Sequence, residues 1–314
     1  MSRSIISITL NPSIDVTIWT DGLHGDEVNR VTQETREVGG KGINVSRVAN
    51  SFGQQTLCIG VAGKENYREF ADHLEQENLR YEFIKIQGSV RENLTIRNGT
   101  QTIKINRKGP TISAMIIGAL MALIQSRVRP GDVVVFAGSL PENVDIKDYV
   151  ELIIAVKNVG AIIAIDSDAL TAEDYRAVKP WVIKPNLHEL HRMVKLNGDS
   201  IDDIVEAGNF LHGVGVENVL ISLGGDGMVH VSDEGVLRAG VPKVEVKSTV
   251  GAGDSSLAGY IVGFIKGNST EDCVRLAAAC GTSSVMLDGT RLTTRDAANE
   301  IANKIEIQSI TCNT

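Results

Sequence analysis

Short apolar runs that alternate with helix-period segments constrain the fold of this chain more than any other feature. The runs are rich in Ile and Val, and each is closely followed by Gly, Pro, Asn or Asp. This pattern is typical of βαβ units, in which buried parallel strands are connected by helices. It predicts an α/β fold, a mostly parallel sheet with helices on both faces. The candidate buried strands are Ile5–Leu10, Thr56–Val61, Val133–Ala137, Ala161–Ile165, Trp181–Ile183 and Val219–Ser222.

Two segments instead show apolar and polar residues in alternation. The clearest examples are Asn93–Arg97 and Thr102–Asn106, and such a period of two is typical of antiparallel strands with one face in solvent. We expect a small β-sheet flap (lid), built from roughly residues 15–38 and 81–108 and carried on the main domain. No repeat or flexible linker divides the chain, so residues 1–314 are expected to form one domain.

Composition narrows the function classes. The chain has 314 residues, 42% of them hydrophobic, and a net charge of −8. It can therefore bury a large core, and its charge does not favour nucleic acid or an anionic membrane surface. The longest apolar run, Met115–Ile124, is about half of what a bilayer requires. The N-terminus lacks the features of a signal peptide, so we expect a cytoplasmic protein without a membrane span.

The cysteines agree with a cytoplasmic location. Cys58, Cys273, Cys280 and Cys312 are scattered, with no pair at a metal-binding spacing. A chain of this length has no need of disulfides for stability. We expect all four to be reduced thiols.

The strongest chemical signal is a glycine-rich turn before a helix-period segment, Ser255–Lys266. The backbone amides of Gly251, Ala252 and Gly253 would converge at a helix N-terminus, which favours an anion such as a transferring phosphoryl group. Asp254 follows directly, and its carboxylate could accept the proton of an attacking hydroxyl. Glycine turns with an Asp cap are also common in purely structural roles, so the segment alone leaves both interpretations open.

Two familiar nucleotide motifs are absent. Ser256 stands where a dinucleotide fingerprint would have its third glycine, and no G-x-x-x-x-G-K-[ST] sequence occurs. A Rossmann dinucleotide site is therefore disfavoured, and a P-loop is excluded.

A second glycine cluster precedes the helix-period segment Gly42–Phe52. Close backbone approach at Gly39 and Gly40, with the amide of Asn44, would suit a polyhydroxylated ligand. Lys41 offers a charge to a phosphate. A tight strand-to-helix turn explains the same residues without any ligand.

A third segment, Ser222 to Gly227, takes a strand into a glycine-rich loop. The phosphates or ribose of a nucleotide could lie against the backbone of Gly224 and its neighbours. A hairpin turn into Met228–Val231 accounts for this segment equally well.

A fourth segment follows the apolar run that ends at Ile183, and ligands of open α/β sheets bind at such strand ends. Lys184 offers charge to a phosphate, while Asn186 and Glu189 carry oxygens suited to Mg²⁺ or its waters. The structural alternative is a strand end followed by a helix start.

Together and in this order, the segments resemble the ribokinase-like PfkB sugar kinase family over nearly the whole chain. Gly-Gly-Lys-Gly-x-Asn, from Gly39, resembles one family signature, and Ser248–Ser255 resembles the other. The resemblance implies a ribokinase-like fold, ATP and Mg²⁺, an anion hole at residues 251–253 and a base at Asp254. It also implies nucleotide contacts at Lys184, Asn186, Ser222, Gly224 and Gly227, and magnesium association through water at Glu189.

Within the family, three further segments resemble the branch that acts on sugar phosphates. These are Thr9–Asp15, Arg91–Asn93 and Gly138–Pro141. The branch contains 1-phosphofructokinase, tagatose-6-phosphate kinase and the minor 6-phosphofructokinase. The resemblance implies that Asp15 and Ser139 bind the sugar and that the donor fork of Arg91 faces its phosphate. Weaker candidates for the phosphate are Arg30, Lys41, Arg107 and Lys108.

The signals for the exact substrate conflict. Residues Gly289–Thr294 are similar to the minor 6-phosphofructokinase, whereas Asn11–Asp15 is closer to tagatose-6-phosphate kinase. The loop at 166–170 is more compact than the family pattern, which leaves its role open. Our first choice is phosphorylation of fructose 1-phosphate to fructose 1,6-bisphosphate, with tagatose 6-phosphate or fructose 6-phosphate as alternatives.

Two other functions stay open. One is a kinase for an unphosphorylated sugar. The other is a non-catalytic binding protein of the same fold, which the presence of Gly251, Gly253 and Asp254 disfavours. The resemblance also implies a possible homodimer formed through the flap.

Overall fold

The computed structural model describes residues 3–99 and 101–310. Its strands are β1 (Ile5–Thr9), β2 (Ser13–Thr20), β3 (Val31–Gly39), β4 (Thr56–Gly63), β5 (Tyr81–Ile86), β6 (Arg91–Arg97), β7 (Thr102–Asn106), β8 (Val133–Ala137), β9 (Ile162–Asp166), β10 (Val182–Ile183), β11 (Asn218–Ser222), β12 (Met228–Ser232), β13 (Gly235–Gly240) and β14 (Glu306–Ile310). Its helices are α1 (Lys41–Ser51), α2 (Tyr67–Gln76), α3 (Ala114–Arg127), α4 (Ile146–Asn158), α5 (Ala172–Val178), α6 (Leu187–Met193), α7 (Ile201–Gly213), α8 (Ala252–Ile265), α9 (Thr270–Val285) and α10 (Arg295–Ala302).

Ten strands form one large sheet in the order β14-β13-β12-β11-β10-β9-β8-β1-β4-β5. Pairing is parallel from β5 through to β11 and antiparallel from β11 to β14. Strands β1, β4 and β8 are buried along their whole length, as expected for Ile- and Val-rich parallel strands covered on both faces. The predicted mostly parallel sheet is confirmed.

Helices cover both faces of this sheet. One apolar core contains side chains from α3, α4, α5, α6 and α7, and the other contains side chains from α1, α8, α9 and α10. The amphipathic segments of the sequence therefore bury their apolar sides against opposite faces. The prediction of helices on both faces is also confirmed.

A separate small sheet has the strand order β3-β2-β6-β7. Its outer pairs are antiparallel, but β2 and β6 run parallel, so the expectation of antiparallel strands throughout was wrong for that pair. The side chains of Ile14, Val16 and Val38 pack with α2 and β4. This packing attaches the small sheet beside the large one.

The predicted extent of the flap also needs correction. Tyr81–Ile86 pairs in parallel with β4 at the edge of the large sheet and does not belong to the small one. An edge strand with one covered face shows the same period-two pattern as a flap strand, which explains the error.

Element ends shift from the predicted ones by a few residues. Helix α1 begins at Lys41, and α8 begins at Ala252, so the glycine turn already contributes to the first turn of α8. The apolar run Met115–Ile124 lies within α3. Across residues 3–99 and 101–310, no helix is both long enough and apolar enough to cross a membrane.

Candidate active site

Three of the predicted site residues, Lys41, Lys184 and Asp254, gather where parallel strands of the large sheet end and where two helices begin. Asp166 is the last residue of β9, and Lys184 directly follows β10. The N-termini of α1 and α8 bring Lys41 and Asp254 to the same place. This location, at the carboxyl ends of the strands, is where open α/β sheets bind ligands.

Asp254 lies in the first turn of α8 and is only 5% exposed. The side-chain amide of Asn44 donates a hydrogen bond of 2.7 Å from Nδ2 to its Oδ2. Burial, followed by the neighbouring carboxylate of Asp166, raises the pKa of Asp254 to about 6, while Lys41, Asn44 and Lys184 act in the opposite direction. A carboxylate with a pKa near 6 is suited to accept a proton at neutral pH.

Asp166 is a central residue that the sequence analysis did not assign to the site. Its Oδ1 accepts a 2.8 Å hydrogen bond from Nζ of Lys41, and its Oδ2 lies 3.3 Å from Nζ of Lys184. Burial alone would raise the pKa of Asp166, but the two ammonium groups hold it below its ordinary value. Its position at the end of a buried parallel strand was the available signal.

Lys41 lies among the carboxylates of Asp166, Asp254 and Glu189. Besides its bond to Asp166, its Nζ is 3.6 Å from Oε1 of Glu189. Burial opposes the charge of Lys41, but the carboxylates of Asp166, Asp254 and Glu189 together raise its pKa above the ordinary value. Lys41 is therefore a fixed positive charge between residues implied to serve catalysis and ATP.

Lys184 rests against the glycine turn. A Cβ at Gly253 would lie 2.8 Å from Nζ of Lys184, so only glycine lets the ammonium approach so closely. Gly251, the N-cap of α8, has φ of +73°, and Ala252 is the first helical residue. The turn thus combines a helix N-terminus with a buried ammonium group, an arrangement that can hold a phosphoryl group.

Asn186 and Glu189 form a capping box at the start of α6. Oδ1 of Asn186 accepts from the backbone amide of Glu189, and Oε2 of Glu189 accepts from the amide of Asn186, each at 2.9 Å. The structural alternative for this segment, a helix start, is therefore present. The capping box uses Oε2 of Glu189, so Oε1 faces Lys41.

The side-chain oxygens of Asn186 and Glu189 are the predicted contacts of a magnesium ion or its waters. Within the described residues, no group of three or more His, Cys, Asp or Glu side chains could hold a metal ion. Mg²⁺ commonly keeps several waters and binds through one or two carboxylates together with nucleotide phosphates. Glu189 fits an ion that is held mainly by ATP and water.

The loop after β11 lies beside this segment. The backbone amide of Ser222 donates to the carbonyl of Pro185 at 3.0 Å, and Gly224 opens a single 3₁₀ turn. Gly227 has a structural reason to be glycine, because a Cβ there would collide with the carbonyl oxygen of Ala239. The hairpin of β11 and β12 that the sequence left as an alternative is present.

The small sheet contributes Asp15. Its Oδ1 accepts hydrogen bonds from Nδ2 of Asn93 at 2.8 Å and from Oγ of Ser13 at 2.9 Å. Gly39 lies directly against its carboxylate, and Gly40 is the N-cap of α1, which carries Asn44. The structure thus brings Asp15 next to the glycine cluster.

Arg91 and Asn11 both approach the same glycine, Gly109. Arg91 is half-buried, and its Nε has no hydrogen-bond partner within the described residues; the same holds for the buried Oδ1 of Asn11. Nδ2 of Asn11 donates to Oγ of Ser139 at 3.3 Å. Burial lowers the pKa of Arg91 and the nearby Asp15 opposes this, so an anion would compensate this guanidinium.

Of the weaker phosphate candidates, Lys41 lies with Asp166 and Glu189, whereas Arg30, Arg107 and Lys108 lie at the surface. Arg107 pairs with the half-buried Glu92 at 3.0 Å and Lys108 with Glu142 at 2.9 Å, and both cationic side chains lie largely in solvent. Arg30 is exposed. None of the three has the buried surroundings of Arg91.

Comparisons with known proteins agree with this geometry. A family model described as pfkB family carbohydrate kinase matches residues 4–297. The chain is 34% identical over 280 residues to 1-phosphofructokinase of Bacillus subtilis. The aligned region covers 89% of this chain and 92% of that protein. It is 31% identical over 308 residues to tagatose-6-phosphate kinase of Staphylococcus epidermidis, with coverage of 96% and 99%.

Solved structures give the same result. Phosphofructokinase-2 from Escherichia coli, in complex with potassium, is 27% identical with a TM-score of 0.89, covering 97% of this chain and 99% of that one. A tetrameric inhibited form of the same enzyme has a TM-score of 0.87 at 26% identity, with the same coverage. The fold is ribokinase-like, as predicted. From the family match across residues 4–297, and from the glycine turn, Asp254 and Lys184 gathered at one end of the sheet, the chain belongs to the PfkB family of carbohydrate kinases.

Proposed function

We propose that this protein transfers the γ-phosphoryl group of ATP to a hydroxyl of a ketohexose phosphate, with fructose 1-phosphate as the first choice. The observation that carries the proposal is the buried carboxylate of Asp254 at the N-terminus of α8, hydrogen-bonded to Asn44; burial raises its pKa to about 6. Transfer of a phosphoryl group to an alcohol needs at least a base for the hydroxyl proton and a site that binds the phosphoryl anion. A carboxylate with a raised pKa beside an anion-binding turn supplies both. The relative in B. subtilis named 1-phosphofructokinase supports the choice of substrate.

In this proposal the sugar lies between the small sheet and α1. Asp15, Gly39, Gly40 and Asn44 bind its hydroxyl groups. The phosphate already on the sugar binds the guanidinium of Arg91, whose Nε lacks a protein partner. Ser139 also binds the sugar, and its hydroxyl accepts a hydrogen bond from Asn11. A bidentate hydrogen bond from arginine suits such a phosphate.

The nucleotide occupies the other side of the centre. Lys184 and Lys41 face the ATP phosphates, Ser222 and Gly224 lie along the nucleotide, and Asn186 keeps α6 and Glu189 in place. For Gly227 the hairpin geometry is sufficient explanation, so its contact with ATP is the weakest of those implied by the resemblance. Mg²⁺, when bound, would neutralise phosphate charge, with Glu189 contacting it through water.

The chemical step follows from these positions. The substrate hydroxyl gives its proton to Asp254 as its oxygen forms a bond to the γ-phosphorus. The bond from that phosphorus to the bridging oxygen of ADP breaks, and ADP leaves with the electron pair. The amides of residues 251–253 and the ammonium of Lys184 stabilise the charge on the transferring group.

Tagatose 6-phosphate is the second candidate, because the S. epidermidis relative bears that name at nearly the same identity. Fructose 6-phosphate is the third, because a structure of E. coli phosphofructokinase-2 is in complex with it. The test is ADP release with ATP and Mg²⁺ on each of these three, and on fructose and ribose, at one low concentration. One sugar phosphate should dominate in kcat/KM. Turnover of a free sugar alone would refute the role of Arg91, and no turnover would refute the kinase proposal.

We also propose a homodimer formed through the small sheet. Ile103 and Ile105 on β7 are 39% and 46% exposed, and Val31 on β3 is 50% exposed. Exposed apolar side chains on a sheet are candidates for subunit contact. The tetrameric form of the E. coli relative supports assembly in this family.

A cytosolic location is the last part of the proposal. Cys58, Cys273 and Cys280 are free, buried thiols, as expected in a reducing compartment. Cys312 lies outside the described residues.

A further inference from the structure

Asn44 holds a specific orientation in the site. Its Nδ2 donates to Asp254, while its Oδ1 accepts a 2.9 Å hydrogen bond from Nη1 of Arg47, one turn further along α1. A side-chain amide can rotate by half a turn and exchange its donor and acceptor. Arginine has only donors, so Oδ1 must face Arg47 and the donor group must face the carboxylate.

Arg47 is itself held in place. It forms two hydrogen bonds with the carboxylate of Glu77, the C-cap of α2, through Nε and, at 3.0 Å, through Nη2. Its side chain is 15% exposed. The half-buried Glu37 is a further charged neighbour, since Arg47 acts on its pKa. The guanidinium therefore keeps one N–H aimed at Asn44 while its other donors are fixed on α2.

We propose that Arg47 is a positioning residue that fixes the amide of Asn44 so that Nδ2 faces the carboxylate of Asp254. The inference rests on the proposed function, in which Asp254 accepts the proton of the sugar hydroxyl. Without Arg47, the amide can turn and present its oxygen to the carboxylate. Two acceptors would then face each other, which disfavours the ionised form of Asp254.

The expected effect is a shift in the ionisation of Asp254. That carboxylate also faces Asp166, Lys41 and Lys184, and an Arg47 substitution leaves all three in place. The hydrogen bond from Asn44 lowers the pKa of Asp254, so its loss in Arg47→Met should raise that pKa. One hydrogen bond corresponds to about one pH unit. Arg47→Lys, which keeps the charge and a donor, should fall between the wild type and Arg47→Met.

The test is carboxyl-carbon NMR of aspartate-labelled protein, with the Asp254 signal identified by its loss in Asp254→Asn. The control is Arg127→Met, because Arg127 also holds a glutamate, Glu82, through two hydrogen bonds. It should leave the ionisation of Asp254 and kcat unchanged. In Arg47→Met the acid limb of kcat/KM should move by the same amount as the NMR titration.

A double-mutant cycle decides whether Arg47 acts through Asn44. In an Asn44→Ala background, Arg47→Met should shift the ionisation of Asp254 no further. An equal shift in both backgrounds, or none in the single variant, would overturn the proposal. The NMR titration does not depend on turnover. If the wild type phosphorylates no sugar, the proposed function fails, but the double-mutant cycle still decides whether Arg47 positions Asn44.

Discussion

The candidate site has two ends: the cluster of Asp166, Lys184 and Lys41 at the large sheet, and Arg91 on the small sheet. They differ in how far charges of the protein itself neutralise one another. In the large sheet, the side chains of Asp166 and Lys184 are 2% and 3% exposed and lie 3.3 Å apart, with Lys41 on the other carboxylate oxygen. In the small sheet, Arg91 is half-buried, and its Nε has no partner in the described part of the chain. The proposed centre for phosphoryl transfer thus has its charges paired within the protein, whereas the proposed sugar end leaves a donor for an anion.

The strands that carry the two ends differ in the same way. Strands β8 and β9 lie inside the large sheet, and their residues are almost all buried. Every residue of β6 is half-buried, and every residue of β7 is exposed. Burial strengthens charge interactions and restricts movement at the transfer centre. Strands β6 and β7 bury fewer side chains, so we expect their local stability to be lower.

The largest expected effect tests the proposed centre for phosphoryl transfer. Asp254→Asn removes the proton acceptor with little change in shape, so kcat should fall by roughly 10²-fold to 10⁴-fold while both KM values change little. Steady-state kinetics with ATP and the preferred sugar phosphate measures this. A kcat close to that of the wild type would show that the buried carboxylate is not the base.

The pairing of buried charges should appear in stability as well. Lys184→Met leaves Asp166 with Lys41 alone, and breaking one side of such a buried pair should lower the free energy of unfolding at neutral pH by about 3 kcal/mol, the low end of the usual range because Lys41 remains. Because the fold holds the pKa of Asp166 below its ordinary value, its ionised form stabilises the protein above the unfolded pKa. That contribution is lost as pH falls through the folded pKa.

Urea unfolding at neutral pH and at about pH 3, below the ordinary Asp pKa of about 3.9, measures both effects. The gap between wild type and Lys184→Met should narrow at the lower pH. The matched control is Lys108→Met, whose exposed pair with Glu142 should matter by no more than about 0.5 kcal/mol. A gap that is independent of pH would point to lost packing in place of lost charge pairing.

At the sugar end, Arg91→Ala should raise KM for the sugar phosphate by roughly 10-fold to 100-fold, the range for hydrogen bonds to a charged group. KM for ATP should change by no more than about twofold. Arg107→Ala, at an exposed ion pair of the same region, is the control and should change neither. Equal effects of Arg91→Ala on both substrates would mean that Arg91 supports the fold.

These contrasts also explain what could be predicted from the sequence. The large sheet was predictable because buried parallel strands are continuous Ile and Val runs, and the glycine turns were visible because backbone approach to an anion requires glycine. The position of Asp166 at the end of a buried parallel strand was visible, but its pairing was not, since its partner Lys41 is 125 positions away in the chain. Strand β5 was misassigned because an edge strand and a flap strand share one alternation.

The site residues show the same limit. Asp254 and Lys184 were named from motifs, and the structure brings them together at one end of the sheet. The helix start at Asn186 was predicted as the structural alternative, and the Asn-x-x-Glu spacing is that of the capping box found there. The link from Glu77 through Arg47 to Asn44 joins two helices, and no local pattern in either helix reveals it.

A smaller effect is the acid limb of activity. Since the pKa of Asp254 is raised to about 6, the base is progressively protonated below that pH, and kcat/KM should fall about tenfold per pH unit. Rates between about pH 5 and about pH 8 measure the limb. The second ionisation of a sugar phosphate also lies near pH 6, so fructose at high concentration is the control acceptor. A limb that disappears with fructose would belong to the substrate.

The smallest effect on chemistry should come from the outer strand of the small sheet. The double variant Ile103→Ser, Ile105→Ser removes two partly exposed apolar side chains without touching the residues proposed to bind sugar or ATP. If the small sheets pair between subunits, sedimentation should show a shift toward monomer, because loss of apolar contact area weakens association. The free energy of unfolding of the monomer should change by less than about 1 kcal/mol, since surface substitutions usually cost little. An unchanged dimer would place the interface on another surface, and a monomer with full activity would mean that the sugar end completes itself within one chain.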